Sequence, residues 1–160
     1  MAAIMDNVDK KILDILQVNG RITNADLADQ IKMSRSPVFE RVKKLERSGY
    51  IDRYIALVNP VKVGIRCFTY VEVMLIQHGK RAVEQFIDAI TQLPEVMECH
   101  HVTGDADFML KIATYDIPAY EEFLLHKLTA LHNIRNLKTM VVLSTMKQET
   151  KLPVGGKSND

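Results

Sequence analysis

The chain has little that would place it outside a cell or in a membrane. Its 160 residues include two cysteines, Cys67 and Cys99. That is too few for a disulfide framework and suits a reducing compartment. No window approaches about 18 consecutive uncharged apolar residues, so no membrane span is expected. The start, Met1-Ala2-Ala3-Ile4-Met5-Asp6, has neither a basic segment nor an apolar run. No signal peptide is therefore expected, and a cytoplasmic location is. Net charge is also nearly missing: 21 Lys and Arg stand against 20 Asp and Glu, a formal +1. Read as an average, this speaks against a nucleic-acid binder. His78, His126 and His132 are scattered and form no Ser-His-Asp or Cys-His constellation. Cys99-His100-His101 is the one run that invites a metal. On a strand, however, Cys99 and His101 share a face while His100 points away, and structural zinc wants four ligands. That run is read as structural, and neither metal nor cofactor is expected. The eight methionines are read as fillers of core and interfaces.

What remains is an ordinary globular composition, 47% hydrophobic and 26% charged, with room for one domain or two small ones. Its charge is segregated. Residues 32–53 carry seven bases (Lys32, Arg35, Arg41, Lys43, Lys44, Arg47, Arg53) and three acids (Glu40, Glu46, Asp52), a balance of +4. Residues 61–160 balance at −1.

The first third reads as three helices. Asp6 with Asp9 three residues on forms an N-terminal cap signal, followed by Val8, Ile12, Leu13, Ile15 and Leu16 at helical spacing. Asn19-Gly20 ends this helix, with the glycine expected in the left-handed conformation. Thr23 or Asn24 caps a second helix with Leu27, Ala28 and Ile31 inward. A third helix is expected from about Ser34 to Ser48, with Pro37 in its first turn and Val38, Val42 and Leu45 as its buried stripe. Gly49 ends it. Tyr50-Ile51 and Tyr54 to Val58 then read as a small hairpin. Two short helices, a tight turn, a basic second helix and a hairpin outline a winged helix-turn-helix. With positions 38, 42 and 45 inward, 37, 41, 44 and 48 make one outward strip and 36, 40, 43 and 47 the next. These strips carry Pro37, Arg41, Lys44, Ser36, Glu40, Lys43 and Arg47. Ser34, Arg35 and Ser36 lie at the end expected to enter a major groove, where the helix terminus adds its own partial positive charge. A bundle with a merely solvated basic face is the alternative.

The remainder alternates strand and helix signals. Cys67 to Ile76 reads as a strand, Lys80 to Leu93 as a helix, and Val96 to Val102 and Phe108 to Thr114 as strands. Asp116 opens a second helix with Tyr120, Phe123, Leu124, Leu128 and Leu131 inward, and Thr139 to Met146 is a final strand. The order β-α-β-β-α-β is the ferredoxin-like split motif, so the fold class is α+β. Its domains are expected at 1–52 (winged helix-turn-helix), 53–66 (extended linker) and 67–153 (ferredoxin-like), with a polar tail at 154–160. The first strand is apolar on both faces: Phe68, Tyr70, Met74 and Ile76 on one, Val71, Val73 and Leu75 on the other, with Glu72 the exception. Two helices cover one sheet face only, so a second subunit is expected on the other, with a buried-edge packing against the N-terminal domain as the alternative.

At this point the sequence resembles the Lrp/AsnC (leucine-responsive/asparagine regulator) family of transcription regulators. The resemblance rests on Asp9, Ile12-Leu13, Leu16, Asn19-Gly20-Arg21-Ile22, Asn24 and Leu27-Ala28. It continues through Met33-Ser34, Pro37-Val38, Arg41-Val42-Lys43-Lys44-Leu45-Glu46 and Gly49-Tyr50-Ile51. In the second half Pro94-Glu95-Val96, Glu98-Cys99-His100, Thr103-Gly104-Asp105, Asp107-Phe108 and Leu110-Lys111 carry it. It covers about residues 6–153. The resemblance implies binding to double-stranded DNA at an imperfect palindrome and a nucleoid-associated, cytoplasmic protein. It implies a homodimer formed through the sheet and assembling to a tetramer or octamer. It also implies an amino-acid effector, leucine or another, held between subunits near Thr103, Gly104, Asp105 and Asp107, with response positions at Met140, Val141 and Val142. Local chemistry agrees: Asp105 or Asp107 can accept from an ammonium, and N–H groups around Gly104 can hold a carboxylate. A plain turn between strands is the bland reading of the same residues. Two other functions fit the architecture: an enzyme resembling the tetrapyrrole decarboxylases, and a stand-alone sensor or assembly protein.

Overall fold

The computed structural model describes residues 5–154. Residues 1–4 and the expected tail from 155 on lie outside that range, while Val154 is described. By its internal contacts the chain divides into two compact units. One runs up to Leu57 and includes the residues from Lys147 on; the other is Val58–Met146. Residues 147–153, expected to close the second domain, thus group with the first. There Lys151 Nζ meets Asp14 at 3.0 Å, and the Gln17 amide pairs with both the N–H and the C=O of Leu152.

The first unit is built on α1 (Asn7–Val18), α2 (Asn24–Ile31) and α3 (Arg35–Arg47). Asp6 caps α1 as a full capping box: its carboxylate accepts from Val8 and Asp9 N–H at 2.9 and 2.8 Å, and Asp9 reaches back to the Asp6 N–H. Thr23 caps α2 by accepting from the Asp26 N–H at 3.1 Å. Ile12, Leu13, Leu27, Ala28, Val38, Val42 and Leu45 form the core, as their helical spacing requires. Helix α3 ends on paired back-bonds, Gly49 N–H to Glu46 C=O and Tyr50 N–H to Leu45 C=O, with Gly49 at φ 74°. This is the termination that glycine's missing Cβ permits.

Two local expectations are corrected. Gly20 does not take a left-handed conformation; the residues with positive φ include Gly49, Gly64 and Gly104 but not Gly20. Its constraint is close approach, since a Cβ there would lie 3.1 Å from the Tyr54 ring. The expected hairpin at 50–58 is also not formed among the described residues: 52–59 take no regular structure. Ile55, Leu57 and Val58 are exposed there, because an extended segment needs a second strand to complete its ladder. Tyr54 fastens its start by donating to Glu46 at 3.0 Å. Burial, then that bond, pushes the Tyr54 phenol up to about 12.

The second unit carries β1 (Cys67–Leu75), α4 (Lys80–Thr91), β2 (Val96–His101), β3 (Phe108–Thr114), α5 (Ile117–Phe123) and β4 (Ile134–Val141). A five-residue π turn, Leu124–Leu128, extends α5. The sheet order is β2-β3-β1-β4, with antiparallel neighbours throughout, which is the split βαββαβ arrangement. Cys67, Thr69, Val71, Val73 and Leu75 point inward along β1. They meet Phe108, Leu110 and Ile112 of β3, Phe86 and Ile90 of α4, and Tyr120, Phe123 and Leu128. The final strand lies earlier than the expected 139–146. Its register pairs Thr69 with Val141 and Val73 with Leu137, so the pleat starts at Ile134, while Leu143 and Met146 beyond it are exposed. The open face holds Tyr70 and Met140 beside two cross-strand ion pairs, Glu72–Lys138 at 3.2 Å and Glu98–Lys111 at 2.7 Å. It is therefore less uniformly apolar than β1 by itself implies. No helix among the described residues is long and apolar enough to cross a membrane.

The end of α3 gives a direct check. Gly49→Ala should destabilise the first unit by about 1–2 kcal/mol, the cost of a Cβ in the left-handed region. Gly49→Asn should cost less, and urea unfolding of the two variants measures the difference.

Candidate nucleic-acid interface and effector loop

Helix α3 presents five bases and two acids in thirteen residues. Its buried stripe of Val38, Val42 and Leu45 fixes what faces outward. Ser34, Arg35, Ser36, Pro37, Glu40, Lys43, Lys44 and Arg47 are all exposed. Ser34 occupies the cap position, yet its side chain makes no capping bond, so the hydroxyl is not engaged by the helix start. Pro37 lies in the first turn, where no N–H is needed.

Arg41 is placed differently from its neighbours. Its Nη1 lies 2.7 Å from Asp6 Oδ2 and 2.6 Å from Asp9 Oδ1. Asp9 is 3% exposed. The Asp6 carboxyl is held below the usual range, first by the Asp9 N–H and then by the Arg41 guanidinium. Arg41 is raised in turn by Asp6 and Asp9. The outward strip that sequence spacing drew through position 41 is thus interrupted: this cation is spent inside the domain. Its partner carries a sequence signal, since Asp9 with Ile12, Leu13 and Leu16 shares the inward face of α1.

Sequence reasoning passed over Phe39. The residue stays 39% exposed on the helix, and Lys43 Nζ sits 4.2 Å from its ring centroid.

In the second unit, the loop between β2 and β3 holds Thr103, Gly104, Asp105 and Asp107. Gly104 turns at φ 118°, and Thr103, Gly104 and Asp105 are exposed. Asp107 is engaged: its carboxylate accepts from the Leu75 N–H at 2.7 Å and meets His78 Nε2 at 3.1 Å. Its own N–H donates to Val73 C=O. The Leu75 N–H first, and His78 after it, hold its carboxyl below the usual range. The neighbouring turn is wired too, as Gln77 and Asn133 exchange two hydrogen bonds of 2.7 and 2.9 Å.

Met140, Val141 and Val142 are not brought to this loop. The loop ends at Phe108, which pairs with Val73, whereas Val141 pairs with Thr69. Four residues of strand, roughly 13 Å, separate the two along the sheet. Cys99 packs half-buried against the core and His101 stacks on Phe108. Among the described residues no group of three or more His, Cys, Asp or Glu could hold a metal ion.

Known proteins share both halves. Residues 5–52 match the winged helix-turn-helix DNA-binding family, and residues 69–152 match the Lrp/AsnC ligand binding domain. The leucine-responsive regulatory protein of Escherichia coli K12 is 37% identical over 150 residues, 94% of this chain and 92% of that protein. A transcriptional regulator from Neisseria meningitidis, solved in complex with L-Met, superimposes with a TM-score of 0.91 at 34% identity, covering 94% of this chain and 97% of that one. An AsnC family transcriptional regulator from Agrobacterium tumefaciens gives 0.90 at 33% identity, over 94% and 97% of the two chains.

The loop yields a pH prediction. A depressed Asp107 adds stability above the ordinary aspartate value of about 3.9 and loses it as pH falls through the lower, folded one. Asp107→Asn should therefore lower the melting temperature near neutral pH, and the gap to wild type should narrow as pH falls below the ordinary aspartate range. A gap that persists in acid would contradict a role for the charge.

The relatives are regulators rather than enzymes, which decides against the decarboxylase alternative. With a DNA-binding half joined to a ligand-binding half, and relatives matched along nearly its whole length, the chain belongs to the Lrp/AsnC family of transcription regulators.

Proposed function

We propose that this regulator grips duplex DNA with α3 and changes its grip when a free amino acid binds the second unit. The observation that supports this most is the row of exposed cations on a helix whose cap side chain is uncommitted. Lys43, Lys44 and Arg47 hold phosphates, which positions the helix without reading sequence. Ser34, Arg35, Ser36 and Pro37 lie nearest the base edges. Glu40 stands where its carboxylate can accept from a cytosine amino group. Arg41 orients α3 through Asp6 and Asp9 rather than holding a phosphate.

The effector is an amino acid such as leucine or methionine, the latter supported by the Neisseria relative's complex with L-Met. Asp105 is the exposed carboxylate for its ammonium, and Asp107 shapes the loop through Leu75 and His78. Because Met140, Val141 and Val142 lie away from the loop, a site using both is built between two copies. A second chain on the open sheet face supplies that geometry, and further dimer contacts make a tetramer or octamer. Paired recognition helices then read an imperfect palindrome. The protein works in the cytoplasm, on the nucleoid. The ligand acts by favouring one assembly or DNA-bound state over another.

Binding to a duplex selected from a random library checks the first half. Lys44→Ala should weaken binding to all sequences alike and lower the salt slope by about one. Arg35→Ala should relax preference at one base position by roughly 1–3 kcal/mol. A thermal-shift screen of the twenty amino acids checks the second half. The stabilising ligand should lose its effect in Asp105→Ala, with DNA binding retained.

A further inference from the structure

Helix α3 carries one aromatic residue, Phe39, and it lies in a row of cations. Arg35, Phe39, Lys43 and Arg47 recur at i, i+4 spacing, so they run along one flank of the helix, and all four are exposed. A phenylalanine that is 39% exposed on an otherwise charged flank leaves apolar area in water. It is not among the buried residues of the core that holds Val38, Val42 and Leu45. Lys43 Nζ, 4.2 Å from the ring centroid, is within cation–π range and restrains the ring. The floor of a major groove offers such a ring one apolar partner, the thymine C5-methyl group. Phe39 also lies one turn beyond Arg35, near the helix end that enters the groove in helix-turn-helix proteins.

We infer that Phe39 is a specificity-determining residue that reads a thymine methyl, held in place by Lys43 while Lys43 and Arg47 engage the backbone. This rests on the proposed docking of α3 in DNA, and the test separates the two.

The probe is a duplex enriched from a random library by the full-length protein. Each thymine is replaced in turn by deoxyuridine, which removes only the methyl group. At one or more thymines the wild type should lose affinity about four-fold, the factor expected for one methyl left unburied. Phe39→Ala should bind the thymine and deoxyuridine duplexes equally. Phe39→Gln repeats the comparison with a side chain of similar reach, so a folding defect in the alanine variant cannot stand in for the result. A wild type indifferent to every replacement overturns the inference, as does an equal loss in wild type and variants. In both cases DNA binding itself survives. Failure to enrich any duplex overturns the docking of α3 and this inference with it.

Discussion

Asp9 is an acid buried on the inward face of α1, and a carboxylate there is tolerated only with a partner. Arg41 supplies it from α3, and the same guanidinium nitrogen also reaches the α1 cap residue, Asp6. One charged contact thus joins the start of the first helix to the middle of the third. It acts with the apolar stripe of Val38, Val42 and Leu45 to set the rotation of α3 about its own axis. That rotation decides which cations meet solvent. Lys43, Lys44 and Arg47 do, and Arg41 is used in holding them there. The near-zero net charge of the whole chain hides this segregation, because the exposed cations of the first unit are concentrated on this one helix.

The second unit follows a comparable logic. Asp107 fastens the β2–β3 loop to the end of β1 through Leu75 and His78, and Asn133 fastens the next turn to Gln77. The loop therefore has a fixed base and an exposed tip at Thr103, Gly104 and Asp105. The connection from that tip is wired directly to the central strand. The antiparallel register keeps Met140 to Val142 away from the tip, so a response that depends on both draws on two chains.

Much of this was legible in the sequence. The Asp6–Asp9 pair announced the capping box, and the spacing of 38, 42 and 45 gave the inward stripe of α3. The alternation from Cys67 to Leu75 gave the central strand. What escaped depended on partners distant along the chain. Arg41 fits an outward strip as well as a stripe edge until Asp9 is seen facing it. Thr139 to Met146 is richer in strand-forming residues than Ile134 to Lys138, so residue pattern favours a late strand, whereas the register against β1 selects 134–141. The hairpin at 50–58 failed for want of a pairing strand, and Gly20 was misjudged because its neighbour, the Tyr54 ring, is remote in sequence. The hydrogen bonds of Asp107 to Leu75 and His78 leave no trace in composition or periodicity.

The Asp6–Arg41–Asp9 contact sets Arg41 apart from the exposed cations Lys43, Lys44 and Arg47 on α3. The salt dependence of DNA binding by Arg41→Gln tests it most directly. If Arg41 orients α3 through Asp6 and Asp9, binding should weaken while keeping the wild-type slope of log affinity against log salt, because no phosphate contact has been removed. A slope reduced by about one would instead place Arg41 on a phosphate and contradict its orienting role.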